Sequence, residues 1–410
     1  MLIEFRVENH RSIKEEEVIT LEAGNVEPDD DRIRVVGDKR LLPVAAIYGA
    51  NASGKSNLLS ALLYLRDAVA LSQMWPSNGG VPRSPFAWGK EESPSLFQAT
   101  FLIEGVPYEY GLVVDDEAVV EEWLKAWPLG RPQLWFERDN QSFKFGEHLK
   151  GENKSIETQT RPNALFLSAA AQLNHAQLKP IFSWFEGIGE VGVRRDGLNL
   201  GREHIRHVAS MLDGENTHYL TRPSIWQNER EKLVTLARIL PFLKSADLGI
   251  TDARINDGRI ELKHQSKQKS SWLPLDDESQ GTRKMFEVAP IIVAALDFGR
   301  PVLVDEIETS LHPQIAASLV RLFQNPKSNP RNAQLIFATH DTSFLGNLMG
   351  DPLLRRDQVW LAEKDDVGVT DIFPLTDFKS RGSENLERGY LQGRYGATPF
   401  LGGDLHVGKP

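Results

Sequence analysis

Residues 49–56 are the feature that most restricts how this chain can fold. They read Gly-Ala-Asn-Ala-Ser-Gly-Lys-Ser, which is the G-x-x-x-x-G-K-[ST] spacing of a phosphate-binding loop. The apolar run at 44–48 before the loop predicts a buried strand, and apolar residues recur at helical spacing from 57 to 65. A strand, a glycine loop and a helix in this order favour phosphate binding over a chance match in a glycine turn.

The residue types within this loop predict individual roles. The two glycines permit backbone conformations that a Cβ atom would forbid. The loop amides and the helix N-terminus would then point at phosphate oxygens. Lys55 would reach the β- and γ-phosphates, and the Ser56 hydroxyl would hold Mg²⁺. The predicted nucleotide-contacting residues of the segment are Gly49, Asn51, Ser53, Gly54, Lys55, Ser56 and Asn57.

A second segment, residues 301–306, is an apolar strand that ends in two carboxylates, Asp305 and Glu306. Asp305 would hold Mg²⁺ directly or through water. Glu306 would polarise the attacking water as a general base. The alternative is a pair of solvated acids that cap the strand. The phosphate loop upstream favours the catalytic interpretation.

Two further segments have the residue types of an anion site. Residues 278–282 precede an apolar helical stretch from Met285 to Leu296, and a serine and a glycine at a helix start can bind an anion. An ordinary helix N-cap, made by Ser279 or Thr282, explains the same residues. Residues 334–341 predict another buried strand, which ends at His340.

In this order the segments resemble the ABC-type ATPase heads of the SMC-like and OLD-like group. The chain is most similar to the compact bacterial AAA-family ATP-binding proteins of the RloA- and AbiL-like kind. The N-terminal strand and turn at 5–13, the segments resembling the Walker B motif at 302–306 and the D-loop at 310–313, and the tail at 390–399 carry this resemblance. His10 replaces the aromatic residue that is usual in the N-terminal turn.

The resemblance implies an α/β fold: an ABC-type P-loop ATPase head with a mixed central sheet, an antiparallel β subdomain and an inserted helical lid. It implies slow hydrolysis of ATP with Mg²⁺ and a homodimer with ATP at its interface. Ser279 and Gly281 would cap the γ-phosphate held by the opposite protomer. His340 would contact the γ-phosphate in its own protomer. The alternative for His340 is a ring that is satisfied by a neighbouring side chain.

The resemblance also implies less specific positions. Arg11 and Ser12 would lie near the nucleotide, although a surface turn explains them equally well. Residues 278–282 resemble a divergent signature motif, and Gln172 would act as the family's glutamine between the phosphate loop and that motif. It follows a predicted apolar strand, Leu165 to Ser168, and precedes a predicted helix. Gln98 is the competing candidate. A polar residue on a helix surface explains Gln172 as well as that role does.

The pattern along the chain predicts a head that is divided by an insertion. Residues 1–95 would be its N-terminal half, with an irregular loop from 71, and residues 271–410 its C-terminal half. Residues 96–270 would be the β subdomain and helical lid, with hairpins from 96 to 145, helices from 164 to 245 and a hairpin from 250 to 262. The apolar stripe on the last of those helices favours core packing over a partner site. No long heptad repeat occurs, so the insertion is a lid rather than a coiled-coil arm.

Composition limits the cellular setting and the partners. The 410 residues contain no cysteine, which excludes disulfides and thiolate metal sites and fits a reducing cytoplasm. We expect neither a signal peptide nor a membrane span. The net charge of −10 argues against binding DNA with the whole surface, although DNA remains a candidate partner. Arginines at 194, 195, 202 and 206 favour a solvated helix face over a local DNA-binding strip.

Two classes of function remain. In the first, the protein is a dimeric ATP-driven switch in a two-gene phage-defence (abortive infection) system, and it controls a separate effector, a nuclease or toxin. In the second, it is an SMC- or OLD-like ATPase that acts on DNA in repair or recombination. The net charge of −10 and the missing coiled-coil arm favour the first class. Because the sequence shows no second catalytic motif, we expect the effector to be a separate protein.

Overall fold

The computed structural model describes residues 1–25, 30–193, 229–246, 249–257, 259–266, 271–309, 312–346, 352–379 and 385–398. The helices are α1 (Lys55–Leu71), α2 (Asn153–Gln159), α3 (Phe166–Gln172), α4 (Lys179–Glu186), α5 (Glu229–Ser245), α6 (Gln280–Phe298), α7 (Pro313–Gln324) and α8 (Leu386–Leu391). Among the helices in these ranges, none is both long and apolar enough to span a bilayer.

Within the ranges given above, the strands form four sheets. They are β1 (Leu2–Glu8), β2 (Glu17–Thr20), β3 (Arg34–Val36), β4 (Lys39–Leu41), β5 (Val44–Tyr48), β6 (Ser95–Ile103), β7 (Val106–Val114), β8 (Val119–Ala126), β9 (Gln133–Asp139), β10 (Ser142–Phe145), β11 (Gly189–Val191), β12 (Ile250–Asn256), β13 (Arg259–His264), β14 (Trp272–Pro274), β15 (Pro301–Val304), β16 (Gln334–Thr339), β17 (Val359–Lys364) and β18 (Thr370–Pro374).

The central sheet has six strands in the order β11-β15-β16-β5-β17-β18. Its neighbouring strands are parallel except for the β17–β18 pair. Every residue of β5, β15 and β16 is buried, because both faces of the sheet are covered. The strands predicted at 44–48, 301–306 and 334–341 are therefore confirmed as β5, β15 and β16, and their carboxyl ends share one edge.

Helices cover the two faces of this sheet. Alternate side chains of a strand point to opposite faces, so Ile47, Leu303 and Ile336 pack in the same cluster as α1. Val304 and Phe337 pack with α6 and α7 on the other face. The helix that begins at the phosphate loop is thus held by the central strands themselves.

A second sheet has seven antiparallel strands in the order β10-β9-β8-β7-β6-β1-β2. The hairpins predicted from 96 to 145 are confirmed, and so is the irregular segment that precedes them. Strands β1 and β2 extend this sheet, since β1 pairs with β6. The sheet therefore combines strands from both sides of the predicted boundary at residue 95, and the three-part division of the chain stays a prediction. The α/β class, with a mixed central sheet and a separate antiparallel sheet, is confirmed.

The predicted strand from Leu165 to Ser168 is wrong, because α3 begins at Phe166. The helix begins there because a carboxylate that is distant in sequence binds its first N–H groups. Glu122 of β8 is fully buried and accepts the backbone N–H groups of Phe166 at 2.7 Å and Leu167 at 3.0 Å. Those N–H groups have no partner within a helix, and the carboxylate satisfies them at the helix start.

The remaining helical prediction holds within the described residues. Helices α3, α4 and α5 form, and β11 adds an edge strand to the central sheet that the sequence pattern did not predict. Leu236, Ile239 and Leu243 of α5 are buried against Met285 and Phe286 of α6. The core-packing interpretation of that stripe is confirmed. The hairpin around residue 257 is also confirmed, as β12 and β13.

We predict that Glu17 makes stability fall as pH rises. Burial, and secondarily the charge of Asp371, raises the pKa of Glu17 from 4.5 to about 7. Its Oε2 accepts the N–H of Ile372 at 3.1 Å, where β2 meets β18. A raised folded-state pKa stabilises the protein fully below 4.5, and this contribution is lost as pH rises to about 7. Urea unfolding across this range should show a smaller pH dependence for Glu17→Gln than for the unmodified protein.

A second variant separates the two causes. Asp371→Asn removes the repulsive charge but keeps the burial, so it should reduce the pH dependence without abolishing it. Equal pH dependence in Glu17→Gln and the unmodified protein would contradict this assignment.

Candidate nucleotide-binding site

Three of the predicted segments meet at the carboxyl edge of the central sheet. The phosphate loop follows β5, the carboxylate pair follows β15, and His340 follows β16. Strand β16 pairs in parallel with both β5 and β15, with Thr339 opposite Tyr48 and Phe337 opposite Val304. Since carboxyl ends of neighbouring parallel strands lie at one edge, these groups converge from three places in the sequence.

The loop needs glycine at both ends. Gly54 has φ of 112°, in the left-handed region that favours glycine, and it is the N-cap of α1. A Cβ atom on Gly54 would collide with the side chain of Thr370, and one on Gly49 would collide with the carbonyl oxygen of Ala362. The glycine spacing thus lets strands β17 and β18 lie directly against the loop.

The Lys55 ammonium is buried beneath the loop. Its Nζ donates to the carbonyl oxygens of Gly49 and Ala50, both at 2.8 Å. Burial lowers the pKa of Lys55, and the carboxylates of Asp305, Glu308 and Glu306 oppose that shift. A partly desolvated cation with only carbonyl partners is suited to accept an anion such as phosphate.

Ser56 and Asp305 form the candidate metal-binding pair. Burial is the main reason that the pKa of Asp305 is raised, and the neighbouring Ser56 side chain opposes that shift. Asp305 Oδ1 is buried and has no hydrogen-bond partner. A buried, unpaired carboxylate oxygen beside a serine hydroxyl is costly for the protein alone, and it is an oxygen donor set that suits Mg²⁺. The residues present therefore fit this ion.

Glu306 is adjacent to Asp305 in sequence but differs from it in exposure to solvent. Its backbone has φ of 52°, in the left-handed region, and the residue is exposed. Its Oε2 accepts the hydroxyl of Thr309 at 2.9 Å. The two carboxylates thus differ in environment. Asp305 is half-buried beside Ser56, whereas Glu306 faces solvent, where water can reach it.

His340 is held by a residue that the sequence analysis missed, Glu308. His340 Nδ1 lies 2.8 Å from Glu308 Oε1, and the same oxygen accepts the His340 backbone N–H at 2.9 Å. Glu308 Oε2 accepts the hydroxyl of Thr339 at 2.7 Å. With Nδ1 engaged, the exposed ring presents Nε2 outward. The signal that could have predicted this contact is the position of Glu308, an acid that follows β15 at the edge where β16 ends in His340.

The N-terminal turn lies on the phosphate loop. Asn57 Nδ2 donates to Ser12 Oγ at 2.5 Å, and Ser12 Oγ lies 2.7 Å from the hydroxyl of Thr370. Thr370 Oγ1 donates to the Ser53 carbonyl at 2.8 Å, and Arg11 Nη1 donates to Asn57 Oδ1 at 3.3 Å. Arg11 and Ser12 are thus beside the loop. Thr370, which the sequence analysis also missed, links Ser12 of the N-terminal turn to Ser53 of the phosphate loop.

His10 packs as the aromatic residue that it replaces. Its ring centroid lies 5.5 Å from that of Phe97 and 6.1 Å from that of Tyr64 on α1. Its Nε2 lies 3.0 Å from Ser60 Oγ. Burial lowers the pKa of His10 to about 3, so the ring is neutral near pH 7. This residue serves packing between β6 and α1.

Ser279 and Gly281 begin α6. Ser279 Oγ accepts the Thr282 N–H at 3.1 Å, so the helix-cap interpretation is confirmed. Ser279 is exposed and Gly281 half-exposed, which leaves the segment accessible to another molecule. The role toward a second protomer stays a prediction.

The structure brings neither candidate glutamine to the loop. Gln172 is the exposed last residue of α3, and Ser168 of that helix bonds the Val69 carbonyl, about 21 Å along α1 from Lys55. Gln98 of β6 points away from α1, because its neighbour Phe97 packs on Tyr64. Ser310 and Leu311 of the D-loop resemblance and the arginines at 194, 195, 202 and 206 lie outside the described residues.

We predict that neutral His340 carries its ring proton on Nδ1, because Glu308 Oε1 lies next to that atom. NMR of isotope-labelled histidine distinguishes the two tautomers, and His340→Gln identifies the signal among the ten histidines. Glu308→Ala should abolish the preference. His312 is an internal control with the opposite tautomer, because its Nδ1 accepts the Gln314 N–H. A proton on Nε2 of His340 in the unmodified protein would refute the assignment.

Several solved structures are similar to this chain. The SMC head domain from Thermotoga maritima has 15% sequence identity and a TM-score of 0.40, covering 91% of this chain and 98% of that chain. The Smc head domain with an extended coiled coil, bound to the C-terminal domain of ScpA, from Pyrococcus furiosus has 13% sequence identity and a TM-score of 0.39. The match covers 92% of this chain and 97% of that chain. The Smc head domain with a coiled coil and joint from Pyrococcus yayanosii has 12% sequence identity and a TM-score of 0.42. The match covers 96% of this chain and 99% of that chain.

No curated protein matches the chain in sequence. A protein family does match, over residues 44–346, which is more than half of the chain and runs from the strand before the phosphate loop to beyond His340. The chain therefore belongs to the family described as "AAA domain, putative AbiEii toxin, Type IV TA system".

Proposed function

We propose that this protein is a slow, Mg²⁺-dependent ATPase. The observation that carries the proposal is the convergence at one sheet edge of Lys55, the Ser56–Asp305 pair and the exposed Glu306. The unpaired Asp305 Oδ1 adds weight, because a buried carboxylate oxygen without a partner is unfavourable until a cation or donor reaches it. Membership of an AAA-domain family agrees with nucleotide binding.

The residues of the site divide the work of phosphoryl transfer to water. The loop amides and Lys55 bind the phosphate chain and compensate its charge. Ser56 and Asp305 would hold Mg²⁺, which when bound neutralises charge on phosphate oxygens. Glu306 accepts a proton from the attacking water, and His340 contacts the terminal phosphate through Nε2. Glu308 acts through His340, so it is a positioning residue.

We further propose that two copies complete each site. Glu306 and His340 are exposed in the single protomer, so water has free access to the reacting side. Ser279 and Gly281 lie at the accessible N-terminal end of α6, where helix N–H groups suit an anion. A symmetric dimer would place this segment of one copy over the nucleotide of the other, and would exclude bulk water.

The central prediction is that Lys55→Ala loses ATP binding or hydrolysis, whereas Glu306→Gln binds Mg-ATP but turns over about 10²–10⁴ times more slowly. Because the bound nucleotide then persists, Glu306→Gln should accumulate as a dimer. Isothermal titration calorimetry, phosphate release and light scattering measure the three properties.

Matched controls are available at two exposed positions, one on β10 and one in the turn between β7 and β8. Lys144→Ala and Glu117→Gln make the same chemical changes away from the site and should leave turnover unaltered. Wild-type turnover by Lys55→Ala would refute the site assignment. A monomeric Glu306→Gln protein at saturating Mg-ATP would refute the dimer.

For the biological role, we propose a switch that controls a separate effector, a nuclease or toxin, in a two-gene phage-defence system. The family description, which names a toxin and a type IV TA system, supports this context. Within the described residues no group of three or more metal-ligating side chains could hold a second metal centre. Action on DNA in repair or recombination is the alternative, and the net charge of −10 argues against it.

Expression together with its neighbouring gene should limit phage growth, and Lys55→Ala should remove that protection, because an effector can respond only to a nucleotide-dependent difference between states. Plaque counts measure the effect. Protection by this chain alone would contradict the switch. Sensitivity to DNA damage without any phage phenotype, together with DNA-stimulated hydrolysis, would favour the repair alternative.

A further inference from the structure

Trp88 is a large apolar side chain that the fold leaves open to solvent. It is 67% exposed, although its neighbour Phe86 is buried. The two rings meet edge to face, with centroids 5.5 Å apart and an interplanar angle of 85°. One edge of the indole is therefore anchored while its remaining surface is uncovered.

The segment that carries Trp88 is fixed to the N-terminal turn. Asn9 is fully buried, and its Oδ1 accepts the Phe86 N–H at 2.8 Å. Its Nδ2 donates to the carbonyl oxygens of Lys90 at 2.9 Å and Ser93 at 2.7 Å. These bonds bracket Trp88 on both sides. A ring held in this way loses little conformational entropy when a ligand packs on it.

The indole also lies against the strand turn that supports the phosphate loop. A Cβ atom on Gly368 would collide with the Trp88 ring. Thr370, at most about 7 Å further along the chain, bonds the Ser53 carbonyl and packs against Gly54. Trp88 and the loop thus share one rigid support.

The order of strands decides which part of a nucleotide Trp88 could meet. The reacting groups Asp305, Glu306 and His340 follow β15 and β16, on one side of β5. Trp88 lies by the β17–β18 turn, on the other side, and β18 is roughly 10 Å from β5 in the sheet. A triphosphate that lies along this edge with its last phosphate at β15 and β16 would extend its nucleoside toward β17 and β18.

We propose that the exposed indole of Trp88 stacks on the base of the nucleotide whose phosphates the loop holds. This inference rests on the proposed ATPase function and adds a base subsite to it. Stacking of a base on an aromatic side chain is favourable for every base, because each has a π-face. The subsite therefore strengthens binding of purine nucleotides as a class and discriminates little between ATP and GTP.

The test compares Mg-ATP with inorganic tripolyphosphate plus Mg²⁺, which carries the phosphates without a base. Trp88→Ala should weaken ATP binding about tenfold and leave tripolyphosphate binding unchanged. Trp88→Phe, which keeps an aromatic face, should recover most of the loss. Leu129→Ala is the matched control, because Leu129 is 85% exposed in a turn of the antiparallel sheet. Calorimetric titration measures each affinity.

The outcomes separate the subsite from the function on which it rests. Unchanged ATP affinity in Trp88→Ala would overturn the subsite and leave the ATPase proposal standing. Equal weakening of ATP and tripolyphosphate would also overturn it, because Trp88 would then act on the loop. If the unmodified protein bound neither compound, both proposals would fall.

Discussion

The parallel pairing of β16 with β5 on one side and β15 on the other is the constraint on which the site depends. It brings a loop near residue 50, a carboxylate pair near 305 and a histidine at 340 to one edge. The pairing is stable because every residue of the three strands is buried between α1 and the α6–α7 layer. The three strands contain no charged residue, and the charged groups of the site come from the segments that follow them at this edge.

Burial at this edge also shifts the pKa values of the two charged groups that would bind phosphate and metal, Lys55 and Asp305. Desolvation lowers the pKa of Lys55 and raises that of Asp305, so each charge is poorly compensated where it stands. Lys55 donates to two loop carbonyls, and the neighbouring Ser56 side chain only partly offsets the effect of burial on Asp305. A ligand that carries negative phosphates together with a divalent cation would compensate both charges at once, which neither partner alone would do.

The central strands and the loop could be predicted because their signals are local. An apolar run between glycines, or a fixed glycine spacing, reports directly on a buried strand or a phosphate loop. The start of α3 could not be predicted, since its N–H groups are satisfied by Glu122, which is distant in sequence. Glu308 and Thr370 were missed for the same reason. Their partners, His340 and Ser53, are joined to them only by the folded sheet.

The hydrogen-bond chain from Asn57 through Ser12 and Thr370 to Ser53 has a consequence for biosynthesis. The loop is synthesised early, but the threonine that braces it belongs to the last strand of the central sheet. A nascent or truncated polypeptide that stops before residue 370 would carry the complete loop sequence without its brace. The loop would therefore gain this support only late in translation, and a fragment that ends before residue 370 would lack it.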